Sequence, residues 1–390
     1  MSDEFAGSGA PLPHLEPFEE NFYHCSACNY CVEMTWEEWG IDGVCPTLRH
    51  HSPGQGYSGK GYIAAARAWY EAAPPDLPSL IERAFTCTAC GNCEEVCPIG
   101  MRPRQIAVAL RSEIIARGLE PDWAAQRAAA FAAQNLPACE PQLTPDQIAI
   151  ICSPAQPHSL AEGTAAASLL GACGNVRLVE MPLHDLAELS ALGYAAQLTE
   201  PLARLCNRLA EMGTRQIVLV DADGLSLLAA SAGELDVQSA LSLLLASLRS
   251  GRLVLTPRPD NPPPAEVGYL DSCHLTKKTH GLASLRLAEQ ARALLDVLGI
   301  GVIGASGAAA RFAICCGAAG GMPASKPQAA RSMANARLAD LGHQGARLVI
   351  TASPLCSDHL ASDGGEGVGV LGLYTFLARH FQPRAGRTAS

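Results

Sequence analysis

Two runs of cysteine carry the densest chemistry in this chain. Cys25-Ser-Ala-Cys28-Asn-Tyr-Cys31 is followed after thirteen residues by Cys45-Pro46. The other is Cys87-Thr-Ala-Cys90-Gly-Asn-Cys93-Glu-Glu-Val-Cys97-Pro98. Thiolates are soft ligands that select zinc or iron–sulfur centres. Short turns between the cysteines of each triple aim three sulfurs inward at corners of one cube, and the proline after the fourth ends the loop. Zinc sites use C-x2-C pairs. These are triples closed by Cys-Pro, which points to [4Fe–4S] clusters and away from zinc ribbons.

The second run matches C-x2-C-x2-C-x3-C-P without departure and resembles the ligand run of bacterial two-cluster ferredoxins, in which the fourth cysteine of each run serves the other cluster. The resemblance implies Cys25, Cys28, Cys31 and Cys97 for one cluster and Cys87, Cys90, Cys93 and Cys45 for the other. The insert at 32–44 is expected to form an extra turn over the first.

A second constellation lies late: Cys273, then forty-one residues, Cys315-Cys316-Gly317, then thirty-nine residues after Cys316, Cys356. Asp271-Ser-Cys273-His, Ile314-Cys-Cys-Gly317-Ala-Ala-Gly-Gly and Thr351-Ala-Ser-Pro-Leu-Cys356 resemble the CCG cysteine-rich domain. That domain occurs in heterodisulfide reductase subunits and in the iron–sulfur subunits of glycolate oxidase and anaerobic glycerol-3-phosphate dehydrogenase. Those proteins join a two-cluster ferredoxin domain to a CCG domain in this order, so the resemblance covers about 21–383. In the heterodisulfide reductase form the motif ends in C-x2-C, and five cysteines hold a noncubane cluster that reacts with disulfides. Here the first of that pair is Ser353. Cys273, Cys315, Cys316 and Cys356 are therefore expected to hold a third iron–sulfur centre, with zinc as the alternative, since four thiolates suit it. His274, Asp358 and His359 are read as loop residues beside the ligands. Cys139, Cys152, Cys173 and Cys206 lack partners at ligand spacing and read as single thiols.

The elements that must position these ligands differ along the chain. Residues 1–20 read as a loose acidic tail. Residues 21–118 form a loop-rich ferredoxin-like domain with short helices near 60–72 and 104–117, the latter opened by Pro103. Residues 119–145 are a helical connector. From 146 short apolar runs (Ile148–Cys152, Val176–Met181, Gln216–Val220, Arg252–Leu255, Val267–Leu270, Arg311–Ile314, Arg347–Ile350) alternate with amphipathic helical stretches, which predicts parallel α/β layers. Gln147–Pro154, Asn175–Gly193 and Arg215–Leu228 can be laid over Glu266–Cys273, Ala309–Met322 and Ala346–His359. On that overlay 146–265 is a CCG repeat without metal ligands, carrying about Pro154, Met181–Pro182 and Leu225 where the repeat at 266–383 carries cysteines. Residues 384–390 are a tail. The expected fold is thus an α+β two-cluster domain followed by tandem α/β CCG repeats.

Two nucleotide-like motifs are decoys. Gly54-Gln-Gly-Tyr-Ser-Gly59-Lys60-Gly61 lacks the Ser/Thr after Lys, and no strand precedes it; it is read as backbone folded close to a cluster, with glycine allowing the turns. Gly299-Ile-Gly301-Val-Ile-Gly304 follows a helix and runs into a strand, the reverse of the dinucleotide-binding order. No flavin or nucleotide site is expected in this chain.

Composition sets the outer bounds. The chain has 390 residues, 48% of them apolar and 17% charged, with a net charge of −10. Lysine occurs only at Lys60, Lys277, Lys278 and Lys326. Without a basic tract the chain is a poor partner for nucleic acid. No apolar run is long enough to span a bilayer, and the acidic start lacks a signal-peptide pattern. Sixteen cysteines then suit a cytoplasmic metalloprotein. Clusters without a hydride-accepting cofactor relay single electrons. The chain therefore reads as a non-catalytic electron-transfer subunit of a multi-subunit oxidoreductase, with no catalytic residue assigned. By resemblance its partner is a flavoprotein or another redox subunit of the same complex, with ferredoxin or electron-transfer flavoprotein as further candidates and membrane association only through partners. The alternatives are a heterodisulfide reductase-like subunit whose CCG cluster reduces a disulfide or passes electrons to quinone, and a metal-stabilised assembly scaffold.

Overall fold

The computed structural model describes residues 11–33, 35–36, 41–73, 76–134, 142–154, 157–277, 287–304, 312–363 and 367–386. They group into two units. One holds the described residues within 1–134, 188–198 and 306–334; the other holds those within 135–187, 199–305 and 335–390.

The first unit is helical and loop-rich. Pro103–Ala116 packs on Gly59–Tyr70, burying Ile106, Ala107, Leu110 and Ile114 from the former and Ile63 and Ala66 from the latter. These apolar positions recur at helical spacing, so each helix offers one continuous stripe. Pro103 occupies the first helical turn, where its missing N–H costs nothing. The 32–44 insert contains a small antiparallel ribbon, β1 (Thr35–Trp36) with β2 (Ile41–Asp42), in the register Trp36↔Ile41.

The compact units do not follow the expected domain bounds. Residues within 306–334, assigned from the sequence to the second α/β repeat, group with the ferredoxin-like residues. The tail expected over 1–20 is shorter: residues 1–10 lie outside the described residues, whereas Leu15 is fully buried and the His14 amide donates to Glu113 at 2.6 Å. An apolar side chain with a core to enter and an amide with a buried acceptor hold this stretch down.

The second unit is α/β. Its first sheet contains β3 (Ile148–Cys152), β4 (Val176–Glu180), β5 (Gln216–Leu219) and β6 (Asp236–Ser239), all parallel in the order β4-β3-β5-β6. β7 (Leu253–Pro257) pairs antiparallel with β12 (Phe381–Ala385). The second parallel sheet contains β8 (Glu266–Tyr269), β9 (Gly301–Gly304), β10 (Leu348–Thr351) and β11 (Gly369–Gly372), in the order β11-β10-β8-β9. The two orders are the same when each sheet is read from its own first strand. The central strands β3, β5 and β10 are almost wholly buried and wholly or mostly apolar, as parallel strands covered on both faces must be.

Several expectations need revision here. Arg311 lies outside the described residues, and Ala313 and Ile314 are in no strand. The place expected for Arg311–Ile314 is taken by β9, so the counterpart of β4 is Gly301–Gly304, and Asn175–Gly193 does not overlay Ala309–Met322. Cys315–Cys316 therefore lie beyond the topological counterpart of Met181–Pro182. The tail assigned to 384–390 begins later, because Arg384 and Ala385 still pair with Val254 and Leu253; residues 387–390 lie outside the described residues. As read from the sequence, Gly299 (φ 72°) stops the helix Leu287–Val297 and the chain then enters β9.

Candidate iron–sulfur centres

The two cysteine triples adopt one backbone conformation. In the first, Ala27 (φ 53°) and Asn29 (φ 68°) are left-handed; in the second, Ala89 (φ 53°) and Gly91 (φ 78°) are, at the same two positions. A left-handed alanine costs about 1–2 kcal/mol, so surrounding contacts must hold each loop. Each then enters a short helix, Tyr30–Glu33 or Asn92–Glu95, which carries the third cysteine. In the first loop all three cysteines line one pocket, where a cluster would sit.

The eight thiols separate into two groups. Burial pushes the Cys31 thiol up to about 11, and the neighbouring Cys25 and Cys97 sulfurs add to the rise while the Lys60 amide opposes it. Cys28, the exposed member, is instead lowered, chiefly by the Tyr30 amide. These four, with Lys60, line one pocket that Cys93 also borders. In the second group burial pushes Cys45 up to about 12, with Cys90 and Cys87 as charged neighbours. Cys93 is raised by burial and then by Cys90, Glu94, Cys87 and Cys45. Cys87 is raised by burial and opposed first by the Arg111 guanidinium. The mutual repulsion within each group is what a bound cation core would relieve.

Both groups fit a cubane better than a single ion. Among the described residues of this unit, no three His, Cys, Asp or Glu side chains close on one metal position; a cubane asks only one thiolate per iron. Amides already face the sulfurs, from Ala89 to Cys87 and from Met101 to Cys97, each at 3.3 Å, the kind of hydrogen bond that tunes cluster potentials. Gly59 begins the helix Gly59–Tyr70, and a Cβ there would lie 2.9 Å from Cys93 Cβ. The glycine-rich 54–61 segment thus lies close to a cysteine loop, as read from the sequence. Gly59 is needed for want of space and not for a turn.

The late cysteines are all buried. In the first unit, Cys315 accepts from the Gly317 amide at 3.3 Å, and Gly317 (φ 96°) passes so near Ala330 that a Cβ would lie 2.6 Å from its carbonyl oxygen. The same segment rests on the Cys87 loop: a Cβ on Gly320 would lie 2.4 Å from the Cys87 carbonyl oxygen. Lys326 bonds Glu82 at 2.6 Å, and Ser332 meets His50 at 2.9 Å. In the second unit, Cys273 opens a short helix after β8, and Cys356 lies in the helix Pro354–Asp363 after β10. β8 and β10 are adjacent, at the point where the strand order reverses, the usual place for a site in an open parallel sheet. Ser353 is buried, and its hydroxyl accepts from the Cys356 amide at 3.4 Å. Where a fifth cysteine would stand, this chain has a helix cap. Asp358 is paired with His158.

Cys152 is buried against Val179, and Cys173 and Cys206 are half-buried; Cys139 lies outside the described residues. The residue that motif reading passed over is Arg111. It is wholly buried and donates to the carbonyls of Ala84 (2.7 Å), Ala191 (2.7 Å) and Cys87 (2.5 Å). A single arginine on the apolar stripe of 103–116 was the available signal.

Two family models match parts of the chain. Residues 20–101 match the family described as 4Fe-4S dicluster domain, and residues 267–361 match the Cysteine-rich domain family, CCG. No curated protein matches the chain. Among solved structures, a candidate Asp/Glu racemase from Yersinia pestis aligns with 13% identity over 60% of this chain and 96% of its own, at a TM-score of 0.30, too low to support an argument. No described helix is long and apolar enough to cross a membrane. The chain is an iron–sulfur protein that joins a 4Fe-4S dicluster domain to a CCG cysteine-rich domain.

Proposed function

We propose that this chain is the iron–sulfur electron-transfer subunit of a multi-subunit oxidoreductase, passing single electrons between a partner flavoprotein or catalytic subunit and a further acceptor. The observation that carries the reading is the division of eight thiols into two groups of four on loops of the same conformation. Cys25, Cys28, Cys31 and Cys97 would hold one [4Fe–4S] cluster, and Cys87, Cys90, Cys93 and Cys45 the other, with Cys97 and Cys45 exchanged between the runs. Bound clusters supply one-electron redox chemistry at potentials set by charge, hydrogen bonds and exposure. The protein's own part is to hold each sulfur, donate amide hydrogen bonds and limit water. Exposed Cys28 and Tyr30 leave the first group open to a partner; in the second group Cys90 is buried and Cys45, Cys87 and Cys93 are half-buried.

A third centre on Cys273, Cys315, Cys316 and Cys356 rests on the cysteine-rich motif, and the Ser353 cap supports a ligand count of four. The common strand order of the two parallel sheets supports a tandem origin for 146–265 and 266–383. The test uses the full chain, purified without oxygen. Wild type should contain about eight irons and eight sulfides beyond those of the third centre. Cys90→Ser should remove about four of each and stop electron flow from a reduced flavoprotein. A wild-type content of about four in total would sink the two-cluster reading.

A further inference from the structure

Arg111 is a fully buried cation. Its hydrogen bonds go to three carbonyls, and among the described residues it has no carboxylate partner. Burying an unpaired guanidinium is expensive, and arginine does not shed its proton to avoid the cost. Carbonyl dipoles offset only part of it. The guanidinium lies 5.4 Å from the centroid of the Phe85 ring and donates to the carbonyl of Cys87, a residue of the second cysteine group. A cubane bound by four thiolates carries net negative charge and gains one more unit on reduction.

Resting on the two-cluster reading above, we infer that Arg111 is a potential-setting residue: a built-in countercharge that makes the cluster on Cys87, Cys90, Cys93 and Cys45 the easier of the two to reduce. Among the described residues lining the first group the cation is Lys60, and that ammonium is partly exposed and bonded to Asn29 and Gln55, so water and salt screen it. With both clusters bound, the second would be the electron sink, and exposed Cys28 marks the first group as the one open to a partner. No bond is made or broken, and no proton is taken up. The Cys87 peptide that Arg111 grips is also the one Gly320 of the Cys-Cys-Gly segment packs against, so the sink lies beside the cysteine-rich sequence.

The test is anaerobic redox titration of the full chain, followed by electron paramagnetic resonance, with iron and sulfide counted in the same samples. Arg111→Gln and Arg111→Met remove the charge; Arg111→Lys retains it while losing the three-carbonyl grip. In whichever neutral variant keeps its iron, one of the two [4Fe–4S] potentials should fall by about tenfold in the reduction equilibrium, or 59 mV for one electron. The other should stay in place, and the Lys variant should recover most of the drop. Equal potentials in the Lys and neutral variants, or loss of iron in all three, would overturn the inference and leave Arg111 a structural strut. A wild type with a single cubane would instead defeat the two-cluster reading.

Discussion

Gly320→Ala tests whether the Cys-Cys-Gly segment is part of the scaffold of the second cysteine group. Gly320 has φ +68°, and a Cβ there would lie 2.4 Å from the Cys87 carbonyl oxygen, 2.7 Å from the Thr88 carbonyl carbon and 2.9 Å from Thr88 Cα. All three are backbone atoms, so no flexible side chain can swing away. Two costs add: about 1–2 kcal/mol for a left-handed alanine and about 1–3 kcal/mol for overpacking a closed contact. Gly118→Ala is the control in the same unit, because Gly118 has φ +64° with nothing within 4 Å and carries only the first cost. With a urea slope of about 1–3 kcal/mol per molar, the Gly320 variant should lose its cluster absorbance at a midpoint on the order of 1 M lower than wild type. The Gly118 variant should fall less than half as far. Anaerobic urea titrations read by visible circular dichroism would show this. If the two variants shift equally, the contact on the Cys87 loop is not load-sharing and the grouping of 306–334 with the ferredoxin-like residues is wrong.

Other outcomes follow from single contacts. Ser353→Ala removes the hydroxyl that accepts from the Cys356 amide and should cost about 1 kcal/mol without changing iron content; a loss of iron would make Ser353 a ligand. Ser353→Cys tests the count from the other side, since it should yield a noncubane signature only if one thiolate was missing. Glu162 is buried, and its carboxylate accepts from the Tyr374 and Thr375 amides, each at 2.9 Å. Burial raises its pKa and those amides only partly compensate. The folded state therefore holds its proton more tightly than the unfolded chain, and stability should decline as pH rises through the ordinary carboxylate range toward the folded value. Glu162→Gln should flatten that slope in denaturation midpoints taken from pH 4 to 8, while losing one amide acceptor. A chain ending at Gln134 lacks Ala191, Lys326 and Ser332, which bond Arg111, Glu82 and His50 in the intact unit. It should retain fewer irons after reconstitution than the full chain; equal iron would show that 1–134 suffices. Cys206→Ser should leave iron unchanged.

The sequence alone determined what depends on neighbours along the chain. A triple of cysteines two residues apart makes the same loop wherever it stands, because the turn and the left-handed positions lie within seven residues; hence Ala27 and Asn29 repeat at Ala89 and Gly91. The helices at 59–70 and 103–116 and the central strands β3, β5, β8 and β10 were legible for the same reason: their apolar period is local and strong. The edge strand β4 was legible too, but β6 and β11 were not. Asp236–Ser239 and Gly369–Gly372 pair on one side only and stay partly exposed, so they need little apolar character and left little signal. A strand was read after Gly299, but the place of β9 in the repeat was given to the more apolar 311–314. Only tertiary structure could bring residues 188–198 and 312–334 to the ferredoxin-like unit, since contacts across two hundred residues leave no period in a sequence. Only it could turn Arg111 from one polar residue in a helical stripe into a buried charge against Cys87, because whether a charge is solvated or desolvated depends on what folds over it.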